Sequence, residues 1–156
     1  MKKYLLGPFV FVFSFVICND IAAQDKTSSN ETYQVVEEMP RFPGCEDLGI
    51  SGKELHACAK EKMIQFISSQ VKYPEEAAKK KVEGDCVVEF VITKDGSISH
   101  VKLLKDIGSG CGEVAVQAIE KMNDMEENWV PGMNKNKATN VRLVMPIKFK
   151  LPVSEG

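Results

Sequence analysis

Few residues in this chain have both the type and the spacing to do chemistry. Cys45, Cys58, Cys86 and Cys111 stand apart from one another, and the only histidines are His56 and His100. Zinc sites draw on close pairs such as Cys-x-x-Cys, and no such pair occurs. His56 is two residues from Cys58, so on a helix the two side chains point to different faces and form no nucleophile pair. His100 alternates with Val101 and is expected to face solvent. Gly108-Ser109-Gly110-Cys111-Gly112 lies between a strand-like and a helix-like stretch, as a dinucleotide fingerprint would. Its spacing is G-x-G-x-G, however, and the strand before it belongs to a hairpin rather than a βαβ unit. It reads as a turn that sets Cys111 over a sheet. No paired carboxylates or triad stand out, so the expectation is a binding protein with no catalytic residues, no metal and no cofactor.

Export is the context in which the cysteines make sense. Lys2 and Lys3 precede an uncharged stretch from Tyr4 to Cys18, and Ile21-Ala22-Ala23 offers small residues to a signal peptidase. Fifteen helical residues would span only ~22 Å, against a hydrocarbon core of ~30 Å. Residues 1–23 therefore read as a cleaved secretory signal, with retention of residues 4–18 as an inner-membrane anchor the second reading. A periplasmic address follows. Four cysteines in an oxidising compartment imply two disulfides, with three connectivities open. A Cys86–Cys111 bridge would pin helix to sheet, and a Cys45–Cys58 bridge would brace the segment around the first helix by ~3 kcal/mol. Charge adds one exclusion. Without residues 1–23, 18 basic and 21 acidic groups remain, which is no footprint for nucleic acid.

The elements that must position these residues are legible from periodicity. Residues 24–38 are polar and read as a linker. Met39-Pro40-Arg41-Phe42-Pro43-Gly44 is forced into extended or turn backbone by its prolines. Ser51 and Glu54 form a capping-box pattern, and Leu55, Cys58, Ala59, Met63, Phe66 and Ile67 recur at helical spacing over about 53–70. Residues 39–72 thus read as a disulfide-braced helical extension. Tyr73-Pro74 opens a short helix over 75–82. Cys86, Val88, Phe90 and Ile92 then share one strand face, Asp95-Gly96 turns the chain, and 97–106 returns. Val114, Ala115, Ala118, Ile119 and Met122 make a third helix, and Trp129 packs beside the sheet. A polar loop runs from Asn134 to Asn140. Val141, Leu143, Met145, Ile147, Phe149 and Leu151 alternate with polar residues in a last strand, and Pro146 assigns that strand to a sheet edge. The fold class is α+β: a three-stranded antiparallel sheet with helices packed on one face, in the order α-β-β-α-β.

These features in this order resemble the C-terminal domain of TonB, the periplasmic energy transducer of Gram-negative envelopes. The resemblance runs over about 73–152 and rests on Tyr73-Pro74, Ala77, Glu83-Gly84, Val87 and Val88. It continues through Phe90, Ile92, Asp95-Gly96, Val101, Trp129-Val130-Pro131-Gly132 and Pro146-Ile147-Lys148-Phe149. It implies a protein-binding module that takes part in TonB-dependent transport. Such a module captures the extended TonB-box segment of outer-membrane receptors by β-strand addition. The partner-binding edge would be 141–150, with Arg142, Val144, Pro146, Lys148 and Lys150 on its open side. The ExbB–ExbD channel would be a partner only if the N-terminus stays in the membrane. Between Tyr4 and Cys18 there is no ionisable residue, and the 20-residue spacer from Asn19 to Glu38 reaches at most ~70 Å. The alternative is a stand-alone periplasmic interaction domain uncoupled from the proton-motive force.

Overall fold

The computed structural model describes residues 31–151. In chain order the elements are β1 (Thr32–Tyr33), α1 (Gly52–Gln70), α2 (Glu75–Lys79), β2 (Gly84–Ile92), β3 (Ile98–Lys105), α3 (Cys111–Glu120), β4 (Gly132–Asn134) and β5 (Lys137–Phe149). Single 3₁₀ turns at Glu46–Leu48 and Lys121–Asp124 precede α1 and follow α3.

The mixed α+β class holds, but the sheet has five strands rather than three. Its order is β1-β5-β2-β3, with β4 paired to β5 off that path. β2 and β5 run antiparallel from Gly84↔Phe149 to Ile92↔Val141. The two unforeseen strands have two and three residues, too short to display a period of two. β4 and β5 form a hairpin through Lys135 and Asn136, whose φ values are both positive, as a two-residue loop matching the strand twist requires. The last strand therefore begins at Lys137, inside the stretch read as a polar loop.

Alternation in β2 and β5 places the core. Cys86, Val88, Phe90, Ile92, Val141, Ile147 and Phe149 are buried on the face that the helices cover. The hairpin joining β2 to β3 needs Gly96, which has φ of 82° and donates its N–H to Thr93 O. An added Cβ there would come within 2.1 Å of Trp129 O. Asn123 ties the end of the third helical segment to β3: its Oδ1 accepts Ile98 N–H at 2.7 Å and its Nδ2 donates to Ile98 O at 3.0 Å.

The segment before α1 is docked rather than loose. Arg41 and Val130 exchange both backbone hydrogen bonds, at 3.0 and 2.9 Å, and so do Glu38 and Met133, at 3.0 and 2.8 Å. Phe42 is buried against Phe66 of α1, with ring centroids 5.8 Å apart, and against Trp129 at 5.4 Å. Trp129 in turn meets Phe90 of β2 edge-on at 6.2 Å, so one aromatic chain joins the extension, the helix and the sheet. Ser51 stands at the N-cap of α1, but its side chain makes no capping bond. Pro74 occupies the N-cap of α2 rather than its first turn.

Candidate functional site

β5 is the element whose hydrogen-bonding capacity is left partly open. Asn140 and Val141 pair with β1, and 137–139 pair with β4. From Arg142 to Phe149 only β2 pairs with it among the described residues, so one rim of the strand is free. Pro146 has no N–H to give to a ladder, and proline in a sheet sits where its nitrogen faces away from the neighbour. Peptide groups alternate along a strand, so the N–H groups of Arg142, Val144 and Lys148 share that outward side with the Pro146 nitrogen. Leu151 agrees with this parity: its N–H donates at 2.7 Å to Glu83 Oε1, on the β2 side.

The five residues expected on this edge all lie in β5 or one residue beyond it. Arg142, Val144, Pro146, Lys148 and Lys150 are exposed and project away from the buried set. Val144 is 54% exposed, which is much for a valine in mid-strand. Arg142 Nη1 lies 3.8 Å from Glu89 Oε2 across the β2–β5 pair, a surface contact of small stabilising value.

A groove of about 790 Å³ runs along the free rim, walled on one side by β5 from Val144 to Lys150 and on the other by α1. From α1 come Lys60, Met63, Ile64, Ile67 and Ser68, and Val71 and Tyr73 close one end. The charged lining residues are Lys60, Lys148 and Lys150, with no carboxylate among them. Tyr73 is held by a hydrogen bond from its hydroxyl to Val82 O and by an edge contact with Phe149 at 6.0 Å. Its phenol is pushed up chiefly by burial, with the charges at Cys111 and Glu83 adding to the effect, so it stays protonated as a donor.

The helical wall of this groove was not among the expected site residues. One signal for it was in the sequence: Ile64 falls outside the buried stripe of α1 and is 51% exposed. An apolar residue off the buried stripe of a surface helix marks a second contact face.

The cysteines divide. Cys45 and Cys58 form a disulfide with Cα atoms 6.3 Å apart. Cys86 and Cys111 are buried free thiols, so the second expected disulfide is not formed. Cys86 Sγ is directed at Asp106 Oδ1, 3.8 Å away, rather than bonded to Cys111. Burial pushes both thiols up, and for each the Asp106 carboxylate adds to the rise. That is the reverse of what a nucleophilic cysteine needs. The glycine-rich loop is equally unsuited to phosphate, since Gly108 N–H is already bonded to Asp106 Oδ1 at 2.8 Å. His56 and His100 are exposed and lie on different elements. Among the described residues no group of three or more potential metal ligands comes together, and no helix is long and apolar enough to cross a membrane.

Compared with known proteins, residues 69–151 match the family model described as Gram-negative bacterial TonB protein C-terminal. The chain is similar to the NMR solution structure of Helicobacter pylori TonB-CTD residues 179–285, at 26% identity and a TM-score of 0.46, over 67% of this chain and 86% of that one. A shorter form of the same domain, residues 194–285, is also similar: 26% identity, TM-score 0.45, with 58% and 91% covered. No curated protein matches.

Proposed function

The chain belongs to the TonB C-terminal family, and from that premise we propose that it is an envelope protein-binding module. It captures an extended segment, the TonB box of an outer-membrane receptor, by strand addition to β5. In this reading the protein serves TonB-dependent transport from the periplasmic side, through recognition rather than catalysis. The observation that carries the reading is the free rim of β5 from Arg142 to Phe149 with an apolar groove beside it.

An incoming strand gains backbone hydrogen bonds from the rim and specificity from the pockets that receive its alternate side chains. Outward N–H groups at Arg142, Val144 and Lys148 supply donors, and the carbonyls of the same residues supply acceptors. Pro146 leaves one donor position empty, so the added strand pairs around it. Side chains on one face of that strand reach Met63, Ile64 and Ile67 of α1. The rim ends where β1 begins, at Val141, so β1 bounds the length of segment that can be added.

Val144→Pro tests the reading. Its lost N–H faces the free rim, so the β2–β5 ladder should survive and unfolding stability should change by less than about 1 kcal/mol. Affinity for a synthetic TonB-box peptide, measured on the full chain by calorimetry, should fall about tenfold or more. Unchanged affinity in a folded variant would remove β5 as the binding edge.

A further inference from the structure

α1 walls the groove, yet little of it is rooted in the domain's core. Of its 19 residues, Ala59 and Ile67 alone are buried. Ile64, which lines the groove, is 51% exposed, and Met63, Phe66 and Val71 are partly covered. A helix draws most of its stability from packing one face against a partner, so α1 depends on what holds it from behind. The segment before it supplies two such holds. Phe42 packs its ring on Phe66 at 5.8 Å, and Cys45, three residues on, is bonded to Cys58.

That segment is itself fixed. Backbone bonds join Glu38 to Met133 and Arg41 to Val130, and Phe42 meets Trp129 at 5.4 Å. The turn that carries Cys45 is held as well, because Glu46 Oε2 accepts the N–H groups of Gly44 and Cys45 at 2.8 and 2.9 Å. A path of fixed groups thus runs from the sheet through Phe42 and Cys45 to Cys58. From there α1 continues for six residues, about 9 Å, to Ile64. Lys60 and Met63, which also line the groove, lie between.

Resting on the strand-addition reading above, we propose that Phe42, Cys45 and Cys58 are positioning residues of the groove. The disulfide braces α1 beside β5 so that its apolar side chains meet those of an added strand. The backbone ladder belongs to β5 and does not need the brace; the side-chain wall belongs to α1 and does. With the S–S bond open, the amino-terminal half of α1 loses its covalent hold. A wall that must be ordered on binding costs affinity that a pre-organised one does not. All three residues precede the stretch matched to the family, residues 69–151. Capture of apolar segments is therefore conditional on an oxidised pair in this chain's own extension.

The test uses the full chain and two synthetic peptides, alternating Thr-Val and alternating Thr-Ala. Affinities are taken by calorimetry before and after treatment with dithiothreitol. This dithiol breaks the S–S bond, leaves a thiol on Cys45 and on Cys58, and is itself oxidised to a cyclic disulfide. Cys86 and Cys111 are already thiols, so among the described residues one bond changes. In the oxidised protein the Val peptide should bind about tenfold tighter than the Ala peptide, from the extra apolar groups it sets against α1. Reduction should shrink that ratio to about two, the remainder reflecting valine's greater strand preference. The Ala peptide, held by the β5 ladder, should move less than about twofold. The double variant Cys45→Ala, Cys58→Ala should behave as the reduced protein does, and circular dichroism checks that each form is folded. A ratio unchanged by reduction would overturn the brace while leaving strand addition standing. Loss of the fold in both the reduced protein and the variant would make the disulfide a global staple and overturn the positioning role. Equal affinity for the two peptides in the oxidised protein would overturn the apolar wall and the brace with it. Binding of neither peptide there would overturn strand addition as well.

Discussion

Phe42→Ala probes whether the extension is part of the domain's core or a separate attachment. Phe42 is 7% exposed and closes an aromatic chain with Phe66 at 5.8 Å and Trp129 at 5.4 Å. Burying a phenylalanine removes at least ~150 Å² from water, which at ~25 cal/mol per Å² is about 4 kcal/mol. Core Phe→Ala changes cost roughly 3–5 kcal/mol. The lower end applies here, because the ring lies close to the surface and α1 can relax inward; the expected loss is ~3 kcal/mol. For a domain of this size that lowers Tm by roughly 10 °C. The assay is urea unfolding followed in parallel by Trp129 fluorescence and by helical circular dichroism, since Trp129 touches the deleted ring directly. Both probes should shift together to lower urea with an unchanged slope. A loss under about 1 kcal/mol, or a fluorescence transition that moves while the dichroism transition stays, would refute the shared core.

The other expectations concern single side chains. Asn123→Leu leaves the N–H and C=O of Ile98 without their side-chain partner and should cost about 1–3 kcal/mol, read as a lower urea midpoint. Loss of the N-terminal end of β3 from hydrogen-exchange protection should accompany it. Cys86 and Cys111 should resist iodoacetamide in the native protein and both label on unfolding, because burial keeps them protonated and covered. Peptide mapping reads this out, and native labelling of either would contradict their placement. Across the mildly alkaline range the native thiols should stay unreactive, since a raised pKa keeps the reactive thiolate scarce until pH climbs past the ordinary cysteine value near 9.0.

Periodicity carried much of the fold. Positions 86, 88, 90 and 92 are all buried in β2, because a half-covered strand writes its burial into the sequence at every second residue. The helical stripe at 58, 59, 63, 66 and 67 likewise marked α1, and Asp95-Gly96 marked the hairpin, since glycine alone fits beneath Trp129 O. Proline at 146 marked the stretch of β5 that has no neighbour on its nitrogen side among the described residues, although the strand as a whole is not at the sheet edge, since β1 and β4 pair with its first residues. Each of these signals is local: one residue type at one spacing, with a single physical cause.

The rest depended on contacts between segments far apart in the chain. β1 pairs with residues more than a hundred positions away, and two residues have no period to read. The groove exists because α1 crosses beside β5, and only Ile64 hinted at that second face. Thiol pairing is decided by where side chains point, so Cys86 and Cys111 could be counted in advance but not paired or left free. Arg41, Lys60 and Trp129 line one pocket, and that pocket appears only once the aromatic chain has folded the extension onto the sheet. Sequence by itself determined the longer elements and the family; the tertiary structure decided which sides of β5 are paired and what lies beside the free one, because burial patterns constrain each element's own faces and not the partner each face will meet.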